Sequence, residues 1–153
     1  MDLFDSIIDN AGAERPAFRQ APVGDYLVVV REAKEVKATK TGNRGIELNF
    51  TLLEYLGDGD MAGVDLSKCR LRETLWFTEK SAEFSKEKLL RITPEVVGIS
   101  PRDALDVLPG NEVVVRISHE TENQDGTPLR TPRLKVDRFY SRDWYFANSR
   151  KAA

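Results

Sequence analysis

A mainly β fold is what this sequence predicts: a small barrel of five strands, with one helical segment between the third and the fourth. Three observations predict it. Five segments alternate apolar and polar residues with a period of two, the mark of a strand with one buried face. Helix-start signals cluster between residues 78 and 110. Glycine-rich or polar turns separate the strand segments. A length of 153 residues suits one domain with a single core.

The elements follow in chain order. Residues 1–23 read as an arm. Leu3, Phe4, Ile7 and Ile8 fall on one side of a short helix over 3–8, and Asn10, Gly12, Pro16 and Pro22 prevent its continuation. Residues 25–37 form a valine-rich first strand, and Thr39-Lys40-Thr41-Gly42-Asn43 a turn. In residues 45–55, Ile46, Leu48, Phe50 and Leu52 share one face, and Glu47, Asn49 and Thr51 the other. Residues 56–68, with Gly57, Gly59 and Gly63 among acids, form a long loop.

Residues 69–77 form the third strand. Cys69, Leu71, Leu75 and Phe77 point inward, with Glu73 the exception, while Arg70, Arg72, Thr74 and Trp76 point outward. Thr78 is placed to cap a helix of about a dozen residues, ended by Pro94, with Phe84, Leu89 and Ile92 as its apolar contacts. Ser100-Pro101-Arg102-Asp103 starts a second, short helix that Pro109-Gly110 ends. Residues 112–120 and 132–140 are the last two strands, joined by a turn around Asp125-Gly126. Three strands, a helical segment and two strands is the element order of the OB-fold, a five-stranded Greek-key barrel. Another small barrel or an α+β sandwich is the runner-up. The domain then spans 24–140, and a tail with Trp144, Tyr145 and Phe146 in a row spans 141–153.

Composition narrows the chemistry. One cysteine, Cys69, forbids an internal disulfide, and with one histidine, His119, it cannot build a four-ligand zinc site. The lone thiol, the acidic N-terminus and an apolar run no longer than residues 26–30 point to a cytoplasmic protein without a membrane span. No phosphate loop, nucleophile elbow or His-Glu-x-x-His motif is present, so a non-enzymatic protein without cofactor is expected. Asp58, Asp60 and Asp65 read as a solvated turn before a metal site.

Net charge is -2, which gives no bulk attraction to nucleic acid. Its placement matters more. Lys37, Lys40 and Arg44 give +3 over residues 37–45, and Lys68, Arg70 and Arg72 give +3 over 68–72. Arg130, Arg133, Lys135 and Arg138 against Asp137 give +3 over 129–138, while Glu54, Asp58, Asp60 and Asp65 leave residues 54–65 purely acidic. In an OB-fold the first and fourth loops flank one groove, floored by the second and third strands. The candidate contacts are therefore Lys37, Lys40, Arg44, Arg70, Arg72, Arg116, Arg130, Arg133 and Lys135 for phosphates, and Trp76 as a ring on which a base stacks. Against these stand plainer readings: solvated charges, and Trp76 packed under the helix.

Several motifs carry a resemblance. Pro22-Val23-Gly24-Asp25-Tyr26 enters a valine-rich strand, and Lys40-Thr41-Gly42-Asn43 turns into an alternating one. Later come Leu75-Trp76-Phe77-Thr78, Lys88-Leu89-Leu90 leading to Val97-Gly98-Ile99, and Leu108-Pro109-Gly110-Asn111-Glu112-Val113. Over residues 22–140 the chain resembles a family of bacteriophage single-stranded DNA-binding proteins. The resemblance implies an OB-fold that coats single strands during phage replication or recombination in the host cytoplasm. Implied partners are single-stranded DNA, replication or recombination proteins and a second copy of the chain. Bacterial single-strand binders end in an acidic tail used for recruitment, whereas this chain ends Ser149-Arg150-Lys151-Ala152-Ala153. The alternative is an interaction or assembly module that binds no nucleic acid, using the tail aromatics and the N-terminal arm.

Overall fold

The computed structural model describes residues 19–123 and 125–152, with side chains described as far as Asn148. The helix expected over residues 3–8 lies outside the described residues.

Five strands form one antiparallel sheet: β1 (Gly24–Lys37), β2 (Arg44–Tyr55), β3 (Leu71–Trp76), β4 (Glu112–Glu122) and β5 (Pro128–Tyr140). Their order is β3-β2-β1-β4-β5. β1 pairs with β2 through residues 26–37 and with β4 through residues 24–29. Register shifts at Leu27/Val28 and Val30/Glu32 sit where the two ladders divide, and such bulges bend a strand and increase its twist. The mainly β character is as expected. The expected closure into a barrel is not seen: among the described residues no hydrogen-bonded ladder joins β3 to β5, so the sheet is open along that seam.

Alternation builds the core as the sequence dictates. Val28, Val30, Ile46, Leu48, Leu71, Leu75, Val113, Val115 and Ile117 all point inward and are almost fully buried. Phe50 meets Phe139 across the core, with ring centroids 6.1 Å apart. Tyr26 is buried too, and its hydroxyl finds a partner by donating to the Pro22 carbonyl at 2.6 Å.

Three helices complete the described chain: α1 (Ala82–Ile92), α2 (Pro101–Val107) and α3 (Arg142–Ala152). α1 buries Leu89 and Ile92. Its expected third contact, Phe84, is instead 66% exposed. Thr78 is not the cap either. It sits in the turn before α1, where its hydroxyl oxygen accepts from the Ser81 N–H at 3.1 Å, and Ser81 occupies the cap position. α2 starts as its motif predicts, with the Ser100 hydroxyl accepting from the Asp103 N–H at 3.1 Å and Pro101 in the first turn.

Two strand starts move by more than one residue. β3 begins at Leu71 because Asp65 caps a single 3-10 turn over Leu66–Lys68, which takes up Cys69 as its end. β5 begins four residues early, at Pro128, because a tight turn closes the hairpin: Asn123 N–H donates to the Thr127 carbonyl at 2.8 Å and Gly126 adopts φ +86°. Prolines at 128 and 132 obscured that start, yet β5 is an edge strand, where proline is tolerated.

The tail becomes α3, which packs on the outer face of β4. Val114 points outward, opposite Tyr140 on β5, yet is fully buried. The Tyr145 hydroxyl donates to Asp25 Oδ2 at 2.9 Å, tying the helix to β1. Among the described residues, no helix is long and apolar enough to cross a membrane.

Candidate nucleic-acid interface

The outward face of β1–β2–β3 is built in rows. Val36, Gly45 and Trp76 form one; Lys34, Glu47 and Thr74 the next; Glu32, Asn49 and Arg72 the third. Glycine at 45 has a steric cause. A Cβ there would sit 2.8 Å from the Leu75 carbonyl oxygen and 2.9 Å from the Trp76 ring, both closer than van der Waals contact, so the indole lies directly on the strand. Two hydroxyls fix the Trp76 backbone: Ser81 and Ser85 donate to its carbonyl at 2.8 and 2.6 Å. Trp76 is half-buried and lies outside the core cluster.

The open seam between β3 and β5 widens here into a groove of about 770 Å³. Arg72, Thr74 and Trp76 line it from β3, and Arg133, Leu134 and Lys135 from β5. The β4–β5 hairpin closes one side with Asn123 and Asp125. Four of the ten candidate contacts thus converge: Arg72, Trp76, Arg133 and Lys135. They came from two separate basic segments and meet through the sheet topology.

The other six do not line the groove. Lys37 and Lys40 stand on the β1–β2 hairpin, directly beyond the Trp76 row, and make no ion pair among the described residues. Arg70 is exposed just before β3, and Arg130 is exposed near the start of β5. Arg44 is of the inward phase and pairs with Glu35 at 3.6 Å, beside Phe77 and α2. Arg116 points outward from β4, opposite Arg138 on β5, and does not line this groove. Its guanidinium pairs with Asp25 at 2.9 Å and lies 5.6 Å over the Tyr140 ring, and the Asp25 hydrogen bond holds its pKa above the usual arginine value.

Acids stand among the groove cations, which the segment sums concealed. Glu47, 14% exposed, takes Lys34 at 3.5 Å and Arg72 at 4.0 Å. Arg133 pairs with Glu120 at 2.7 Å. Glu73, inward in phase, faces the seam. Three lining cations (Arg72, Arg133, Lys135) meet three lining acids (Glu73, Glu120, Asp125), so the groove itself is electrically balanced. The signal for Glu73 was present in the sequence, as the one charge among the inward residues of β3.

Burial pushes the Glu73 carboxyl above the usual carboxylate range; Lys88 and Lys135 oppose that shift, and Asp137 and Glu120 reinforce it. A carboxyl raised in the folded state holds its proton more tightly there than in the unfolded chain. Its contribution is therefore most favourable below about pH 4.3, and is lost as pH rises through the raised folded value. Glu73→Gln should gain on the wild type between pH 4 and pH 7 in urea unfolding. An unchanged difference between the two proteins at both pH values would remove this account.

The remaining polar candidates have structural work. The His119 Nε2–H donates to the Ala21 carbonyl at 2.6 Å. Asp60 accepts from the Ala62 N–H and Asp65 from the Ser67 N–H, as turn-forming residues do. Among the described residues no three His, Cys, Asp or Glu side chains gather to hold a metal. Comparison with protein-family models gives no match, and comparison with curated proteins gives none either.

Proposed function

We propose that this chain is a sequence-tolerant single-stranded DNA-binding protein, non-enzymatic and without a cofactor, that coats strands in phage replication or recombination in the host cytoplasm. The sheet is then an OB-type barrel whose β3–β5 seam is left unpaired to receive the strand. The order β3-β2-β1-β4-β5, with the two edges facing one another, supports that assignment. One observation carries the function: Trp76, packed against Gly45, borders a groove that also holds Arg72, Arg133 and Lys135. A ring for an unpaired base beside cations for its phosphates is what single-strand binding requires.

The test is a titration at several salt concentrations with matched single-stranded DNA, RNA and duplex. Single-stranded DNA should bind more tightly than duplex and quench tryptophan fluorescence. The three phosphate contacts of this groove contribute about -2 to the slope of log K on log salt, at roughly -0.7 per phosphate for a single strand. Equal binding of all three nucleic acids, or none at low salt, removes the proposal. The second reading, a protein-interaction module, has its own observation. Leu90, Val97 and Ile99 are exposed apolar residues that line a groove beside α1, and clustered exposed apolar residues are what a protein contact uses. A stable oligomer indifferent to oligonucleotides would decide for that reading.

A further inference from the structure

A second groove, of about 660 Å³, lies further along β5 than the first. Lys88 and Arg91 enter it from α1, three residues apart and so on one helix face. Arg138 and Tyr140 enter from the end of β5, and Trp144 from α3. The Trp144 indole stacks on the Tyr140 ring at 5.8 Å with 7° between planes, yet keeps 54% of its surface exposed. One ring face is therefore backed by an aromatic and the opposite one is open to solvent. Its cations are also less engaged than those of the first groove. Lys88, Arg91 and Arg138 make no ion pair within 4 Å among the described residues. Arg91 donates to the Phe139 carbonyl at 2.9 Å, which aims its guanidinium along the groove wall. Against these three cations stands one lining acid, Asp137, whose carboxylate already accepts from the Ser118 hydroxyl at 2.9 Å. The second groove is thus net +2, where the first is balanced. The two follow one another along β5, the first lined by Arg133, Leu134 and Lys135 and the second by Asp137, Arg138, Phe139 and Tyr140.

We infer that the second groove is a further single-strand subsite, in which Trp144 stacks a base and Lys88 and Arg138 take the flanking phosphates. The inference rests on the proposed function and extends its path. From Arg133 to Tyr140 β5 rises about 23 Å at ~3.3 Å per residue, so a nucleic-acid strand that fills both grooves follows the second half of β5. The division of labour is physical. The first groove supplies a ring and a shaped cleft with little net field, and the second supplies the field.

The chain has two tryptophans, so each groove can be watched alone. In Trp76→Phe, fluorescence comes from Trp144; in Trp144→Phe, from Trp76. An unstructured oligothymidylate should quench both single-tryptophan proteins. Lys88→Gln/Arg138→Gln should abolish the Trp144 quench and flatten the salt slope by about 1.4, two phosphates at roughly 0.7 each. Quenching of Trp76 with an untouched Trp144 signal and an unchanged slope overturns the subsite while leaving the proposed function standing. Absence of binding to the wild-type chain overturns both. Far-ultraviolet circular dichroism of each variant establishes that the sheet is intact.

Discussion

Trp76→Ala leaves the sheet folded and weakens single-stranded DNA binding roughly 5- to 150-fold, the ~1–3 kcal/mol that one base stacked on an aromatic ring contributes. The fold should tolerate the change because the indole lies on the outward face, apart from the core cluster. The bonds that position residue 76 are to its backbone. Its carbonyl still accepts from Ser81 and Ser85, and the N–H of Phe77 still donates to the Arg44 carbonyl at 2.9 Å. Replacement by phenylalanine preserves a stacking face and should recover much of the loss, while leucine, apolar without a π face, should not. The salt slope separates this from a charge effect: removing a neutral ring lowers affinity at every salt concentration without changing the slope. An affinity equal to wild type, measured by anisotropy of a labelled strand, would show that the indole is structural.

How much of this could be read from the sequence differs between the fold and the site. Element types were legible because each strand has one buried face. Ile46, Leu48, Phe50 and Leu52 announce their side of the sheet by spacing alone, and Ser100-Pro101 announces a helix start. Limits were less legible where a local bond decides them, as with Asp65 drawing Cys69 out of β3, or the Asn123–Thr127 turn that lets β5 begin at a proline. The tail was ambiguous for a different reason. Whether three adjacent aromatics pack or project depends on what they meet, and the Asp25 partner of Tyr145 lies 120 residues away.

The site was legible only in part because charge sums along the chain ignore register. Arg72 and Arg133 belong to different basic segments and meet across the seam. Arg116 was equally basic, and pairing with Asp25, its cross-strand neighbour on β1, withdraws it. Glu47 and Glu120 sit outside the basic segments, and cross-strand pairing brings them onto Arg72 and Arg133. Lys88, Arg91 and Arg138 assemble a groove from a helix face, a strand end and the packing of α3, three facts that no single stretch of sequence contains.

Leu48→Ala tests the fold and its link to function together. Leu48 is fully buried at the middle of β2, opposite Ala33 on β1 and Glu73 on β3, directly beneath the outward rows that carry Arg72 and Trp76. Replacing its isobutyl group by methyl leaves a cavity beneath a strand that is hydrogen-bonded on both sides. The expected loss is about 2–5 kcal/mol, seen in urea unfolding as a lower midpoint with an unchanged slope. Because no functional side chain is altered, the protein that remains folded should bind single strands with near wild-type affinity. Ligand that binds only the folded chain then restores stability by mass action, by about 2.7 kcal/mol at a hundredfold excess over Kd. A single-stranded oligonucleotide should therefore raise the midpoints of Leu48→Ala and wild type by similar free energies, and that of Trp76→Ala by less at the same concentration. A rescue of Leu48→Ala far smaller than that of wild type would mean that the cavity also deforms the groove. The inner and outer faces of β2–β3 would then not act independently.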